Sequence, residues 1–211
     1  MSARFSPSLL VGIAGGTASG KSRFAAALAQ ALAEGRPPLS AQIIPSDHYF
    51  RNHDPAGPKV TLPSGEVYFD YNHPDAVDHA RLAADLDRLR QEEDAPDVLI
   101  VEGLMILYTP IIRDRLDLRL FIELEDDERA LRRLVRNLGS QDPIDLEKGR
   151  WIADYYCASA RVGHRRYVEP SRVYADLIVR GDGDFVRLAR MVAAVVRDMY
   201  AQKQPGGESN G

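Results

Sequence analysis

The chain is 211 residues long, 45% hydrophobic and 27% charged, with 27 Lys and Arg set against 31 Asp and Glu for a net charge of −4. That length supports one well-cored domain rather than two, and the acidic balance removes the basic surface on which nucleic-acid binding depends. A single cysteine rules out an internal disulfide, no apolar run approaches a membrane span, and the first residues lack the basic-then-apolar pattern of a leader, so the expectation is a cytoplasmic protein acting on a small phosphorylated ligand.

The first apolar run, LLVGIA at 9–14, reads as a buried strand that leads directly into G-x-x-x-x-G-K-[ST] and an Ala/Leu-rich helix. In this motif Gly15, Gly16, Thr17, Ala18, Ser19 and Gly20 form a loop whose backbone N–H groups can close on a triphosphate at the positive end of the helix. Lys21 adds a charge for the β and γ phosphates. Ser22 adds a hydroxyl suited to Mg²⁺, an ion that keeps most of its waters. Further apolar runs follow at 41–45 (AQIIP), 97–101 (DVLIV), 118–124 (LRLFIEL) and 174–179 (YADLIV). Short apolar strands alternating with helical patterns define an α/β fold whose parallel sheet is covered on both faces.

Ligands of such sheets lie beyond the carboxyl ends of the strands. Asp47 stands just past the second strand and Glu102 just past the third. Either acid alone could cap a helix. Beside a phosphate loop, one can hold Mg²⁺ while the other accepts a proton from a substrate hydroxyl, which favours an active-site role for both. The irregular stretches 48–66 and 139–149 are long enough to be functional or disordered.

The helix at 126–138, DDERALRRLVRNL, places Leu131, Leu134, Val135 and Leu138 on one face and Arg129, Arg132, Arg133 and Arg136 on another. Spacing leaves two readings of the arginine stripe. It is a solvated face paired with Asp126, Asp127 and Glu128, or a row whose end, Arg133 and Arg136, meets the transferring phosphoryl group. Downstream, Trp151, Tyr155 and Tyr156 read as core, Cys157 as a small buried residue of a helix, and the basic stretch around His164 as either a solvated face or a phosphate contact. His48, His53, His73 and His79 lack metal-site spacing and read as loop and cap residues. Phe185, Leu188, Ala189, Val192, Val195, Val196 and Met199 form one apolar stripe of a final helix, and the tail AQKQPGGESNG is expected to be disordered.

Taken in order, GIAGGTASGKS, SDHYF, YFDYNHPDAVD, VLIVEGLMILY, DLRLFIELEDDERALRRLVRN and YVEPSRVYADLIVRG resemble the uridine kinases of the phosphoribulokinase/uridine kinase family, from residue 9 to about 182. The resemblance implies a P-loop kinase-like three-layer sandwich, with a five-stranded parallel sheet ordered 2-3-1-4-5. It implies a single domain over 1–202, a small lid at about 137–150 and a tail at 203–211. ATP and Mg²⁺ are the implied cofactors, with Lys21 as the phosphate lysine, Ser22 and Glu102 as Mg²⁺ ligands and Asp47 as a general base close to the metal. Asp70 matches the acid that binds the ribose hydroxyls, and Phe69 is the implied wall against the base. Arg133 and Arg136 match arginines that reach the ribose and phosphates, which favours the functional reading of the stripe.

Two departures shape the expected substrate. The base-reading hairpin that uridine kinases carry between the ribose acid and the E-G strand is missing from 81–97. The lid sequence R-G-R is replaced by LGSQDPIDLEKGR, where Lys148 and Arg150 are the cations left to substitute. Nicotinamide riboside kinases also lack the hairpin, but their lid tyrosine has no counterpart at Asn137 or Leu138. The expected activity is phosphorylation of a nucleoside 5′-hydroxyl, uridine or cytidine first, with nicotinamide riboside or another small metabolite as the alternative. A catalytically weak nucleotide-binding module is the rival of another class. The expected partner is a nucleoside-like small molecule, with neither nucleic acid nor membrane, and a homo-oligomer is left open.

Overall fold

The computed structural model describes residues 8–139 and 145–204; residues 140–144 of the lid expected at about 137–150, and 205–211 of the tail expected at 203–211, lie outside them. Among the described residues seven strands run in chain order: β1 (Leu9–Gly15), β2 (Ala41–Pro45), β3 (Lys59–Thr61), β4 (Val67–Phe69), β5 (Val98–Glu102), β6 (Leu118–Glu123) and β7 (Leu177–Arg180). Five form one parallel sheet ordered β2-β5-β1-β6-β7, which is 2-3-1-4-5 when its strands alone are counted. The other two pair as a separate antiparallel hairpin, with β3 inside the stretch 48–66 expected to be irregular and β4 just beyond it.

The α-helical segments that accompany them are α1 (Lys21–Ala33), α2 (His79–Leu89), α3 (Pro110–Arg113), α4 (Asp126–Leu138), α5 (Leu146–Tyr155), α6 (Arg161–Gly163) and α7 (Phe185–Lys203). The strands alternate their side chains between two cores, as the pleat requires. Leu9, Val11 and Ile13 of β1 pack with α1 and α7 on one face. Leu10 and Ala14 pack with α2, α3 and the segment after β5 on the other. Arg197 of α7 donates to the carbonyls of Ala31 (2.9 Å) and Leu32 (2.6 Å), placing a cation at the negative end of α1.

Register fixes the functional edge. Glu102 lies opposite Ile13 on one side and Pro45 on the other, so β2 and β5 end level and β1 runs on to Gly15, where the phosphate loop begins. The phosphate loop, the turn after β2 and Glu102 therefore emerge together.

From Leu146 to Tyr174 the chain stays helical, passing through α5, a π turn at Tyr156–Ala160, α6, a second π turn at His164–Val168 and a 3₁₀ turn at Glu169–Tyr174. This delays β7 to Leu177, later than the apolar run at 174–179 suggests. Tyr155, Ser159 and Ala160 take the inner positions of that helix, so Cys157 is exposed rather than buried. His164 is buried, not solvated. The final helix also extends into the expected tail: Gln202 donates to Asp198 (2.8 Å) and Lys203 to Asp117 (2.8 Å), holding 201–203 in the last turn. Among the described residues no helix is long and apolar enough to cross a membrane.

The largest correction concerns α4. Leu131 and Val135 are 63% and 70% exposed, while Arg129 is 1% exposed and is the buried residue of the helix. Its arginine side is turned inward: Arg133 donates to the Thr17 hydroxyl of the phosphate loop, and Arg129 to the Leu124 carbonyl just after β6. The apolar side borders a cavity instead of a core.

Candidate active site

Gly20 sits at φ +102, in the left-handed region open to glycine, and no side chain caps the helix it begins. The first-turn N–H groups of α1 are thus free for an anion, reinforced by the helix dipole. Gly16 is needed for space: a Cβ there would stand 2.5 Å from Nη1 of Arg129. The Arg129 guanidinium lies beneath the loop, where Nε donates to the Leu124 carbonyl (3.1 Å) and Nη2 pairs with Asp126. Its Nη1 has no partner among the described residues.

Lys21 Nζ donates to the Gly16 carbonyl at 3.1 Å. Burial holds the Lys21 pKa below its ordinary value; Glu102 and Asp47 oppose that shift, while Arg136 and Arg129 add to it. Ser22 donates to Glu102 Oε1 at 2.8 Å, and Glu102 is buried. Two hard oxygen donors at one point fit Mg²⁺, which takes one or two side chains and completes its shell with water and phosphate. Among the described residues no group of three or more acids, histidines or cysteines could hold a metal by itself. Asp47 lies on a 3₁₀ turn, Ser46–Tyr49, immediately after β2, and is exposed.

The arginine stripe divides between the two readings. Arg132 pairs with Glu128 (2.5 Å) and donates to the Gly181 carbonyl (2.9 Å), while Arg133 Nη1 donates to Thr17 Oγ1 of the loop at 2.8 Å. Arg136 joins Gly20, Lys21, Ser22, Leu131 and Val135 around a cavity of about 720 Å³. Lys148 donates to the Leu138 carbonyl (3.4 Å), and Arg150 is exposed beside Asp154.

Asp70 and Phe69 stand further out, at the end of the hairpin. Asp70 Oδ1 accepts from Ser159 Oγ (2.5 Å) and from the Asn72 amide N–H (3.0 Å), and Asn72 Nδ2 donates to Ser159 Oγ (2.8 Å). The Tyr155 hydroxyl donates to the Phe69 carbonyl (2.9 Å) and accepts from the Tyr71 N–H (3.0 Å). Phe69, Tyr71 and Phe50 pack edge to face at 4.8 and 4.9 Å. Arg133 lies over the Tyr155 ring at 5.6 Å and so connects this region to the phosphate loop. Sequence reasoning missed Arg129 beneath the loop and the Ser159–Asn72 pair. The partners of Arg129 are local, but nothing in the helical period announces that its arginine face is the inner one.

A parallel sheet of this order, with a phosphate loop between β1 and α1 and an acid at the end of the adjoining strand, defines a P-loop kinase. The chain is 32% identical over 200 residues to a uridine kinase of Chloroflexus aurantiacus, spanning 83% of this chain and 88% of that protein. It is 33% identical over 205 residues to a uridine kinase of Chloroflexus aggregans, spanning 85% and 90%. The chain belongs to the uridine kinase family. A crystal structure of a provisionally assigned fructose transport system kinase from Silicibacter sp. TM1040 shares the fold, with a TM-score of 0.59 at 24% identity over 85% of this chain and 93% of that one. No protein-family model matches the sequence. The protein is therefore a P-loop kinase of a nucleoside or another small molecule.

Proposed function

We propose that the protein transfers the γ-phosphoryl group of ATP to the 5′-hydroxyl of a ribonucleoside, uridine or cytidine. The observation that carries this reading is the meeting of Lys21, the Ser22–Glu102 pair and Asp47 at one edge of the sheet, level with the uncapped start of α1. The α1 amides and Lys21 hold the phosphates. Asp47 accepts the 5′-hydroxyl proton as the new O–P bond forms and the bond to the departing ADP oxygen breaks. Arg133 and Arg136 approach from α4 to offset charge that spreads over the transferring group. Ser22 and Glu102, with Asp47 nearby, would hold Mg²⁺, which supplies charge neutralisation at the phosphate oxygens when bound. Asp70 receives the ribose hydroxyls and Phe69 borders the base.

Between Asp70 and β5 the chain forms a 3₁₀ turn and α2, with no strand. This favours a second reading in which a related riboside, such as nicotinamide riboside, is the acceptor, because no polar hairpin there reads a pyrimidine. The test is ADP release with Mg-ATP and uridine, cytidine, nicotinamide riboside and simple sugar alcohols as acceptors. The expected result is turnover confined to ribosides; turnover of sugar alcohols alone would overturn both readings.

A further inference from the structure

We infer that Tyr155 and Ser159 act as a clasp that orients Asp70, making them positioning residues for the acceptor. Directionality in the network is fixed by chemistry: an ionised carboxylate can only accept and an amide NH₂ can only donate. Ser159 Oγ must therefore give its proton to Asp70 Oδ1 while taking one hydrogen bond from Asn72 Nδ2. One oxygen of Asp70 is thus occupied, and the other, Oδ2, has no partner among the described residues. A carboxylate anchored by one oxygen and open at the other is suited to receiving hydroxyl groups at a set angle.

Tyr155 fixes the backbone on which that carboxylate stands. Its single hydroxyl bridges the Phe69 carbonyl and the Tyr71 N–H, the two peptide groups flanking Asp70. Burial raises the Tyr155 pKa above its ordinary value, which keeps the hydroxyl a neutral donor and acceptor. The ring is stacked on Trp151 at 5.4 Å and lies beneath Arg133, so it cannot swing away without disturbing the group bonded to Thr17. Ser159 falls within the π turn that begins at Tyr156, a local widening of the kind often found at functional sites, and it faces the hairpin together with Tyr155.

The clasp rests on the proposal that Asp70 binds the ribose, and the experiment separates the two. The preference of kcat/KM for uridine over 2′-deoxyuridine is measured in the wild type, Ser159→Ala, Tyr155→Phe, Asp70→Asn and the double variant Ser159→Ala/Asp70→Asn. Loss of one orienting hydrogen bond should shrink that preference about tenfold in Ser159→Ala and in Tyr155→Phe, with the KM for ATP held within about twofold. In the Asp70→Asn background, Ser159→Ala should add nothing further, because its effect passes through the carboxylate. If both single variants lower the two substrates equally and leave the preference intact, the clasp is structural only and the inference fails while the ribose assignment stands. A wild type indifferent to the 2′-hydroxyl, or an Asp70→Asn variant with the wild-type preference, overturns the ribose assignment and the clasp with it.

Discussion

His164 should make the stability of this protein depend on pH in a predictable direction. Its ring is buried, with Nε2 3.3 Å from Glu169 and 3.7 Å from Asp126. Burial is the largest cause of its depressed pKa, and Arg129, Lys21 and Arg165 add to the effect against the pull of Asp126, bringing it down to about 4. An unfolded histidine titrates near ~6.5, so between these values the unfolded chain binds the extra proton and the folded chain does not. Stability from this group is fully present above the unfolded value and is lost as pH falls toward the folded one. Integrated for one site, the loss from pH ~7.5 to pH ~4.5 is about 2.5 kcal/mol, with further loss at lower pH. The assay is urea unfolding across that range for the wild type and His164→Gln, taking the difference between the two curves so that the carboxylates common to both cancel. The wild type should lose about 2.5 kcal/mol more than the variant on acidification. Parallel curves would show that His164 is solvated or already charged in the folded protein and would refute the burial argument.

Three further outcomes are expected. Lys21→Ala should remove nearly all turnover, measured as ADP release, because no other ammonium group faces the phosphate loop among the described residues; wild-type kcat would contradict the assignment. Asp47→Asn should lower kcat by about 10² to 10⁴ while calorimetric ATP affinity stays close to that of the wild type, and an unchanged kcat would return this residue to a capping role. Gly16→Ala places a methyl 2.5 Å from Arg129 Nη1, a guanidinium that is 1% exposed and held by Leu124 and Asp126. It should cost about 1–3 kcal/mol in thermal unfolding and weaken ADP binding, and a variant with wild-type Tm and affinity would show that the loop retreats freely.

The sheet and the phosphate loop were legible because their signals are contiguous. Each strand is an apolar run, and the glycines, Lys21 and Ser22 fall within eight consecutive positions. Asp47 and Glu102 could be placed because strand ends are functional edges in parallel sheets. α4 was harder, since periodicity separates two faces without saying what each one meets, and here the charged face meets the Thr17 hydroxyl and the Leu124 and Gly181 carbonyls. The hairpin had an unused local signal: LPSGE, with Gly65 at φ +88 and Leu62 N–H bonded to the Glu66 carbonyl (2.8 Å), is turn chemistry between two short strands. Ser159 and Asp70 are separated by 89 positions, and no local pattern joins a serine in a helix to an acid after a strand.

The outward-facing Leu131 and Val135 leave a thermodynamic mark on nucleotide binding. A ligand that engages only the phosphate loop leaves both side chains in water, whereas one whose ring seats in the adjoining cavity dehydrates them. Removing apolar surface from water gives a negative heat-capacity change, the signature that survives when enthalpy and entropy compensate. Calorimetry of ATP and of inorganic triphosphate over a range of temperatures would therefore separate the contribution of the ring from that of the anion, with a steeper enthalpy slope for ATP and convergence of the two slopes on Leu131→Ser/Val135→Ser.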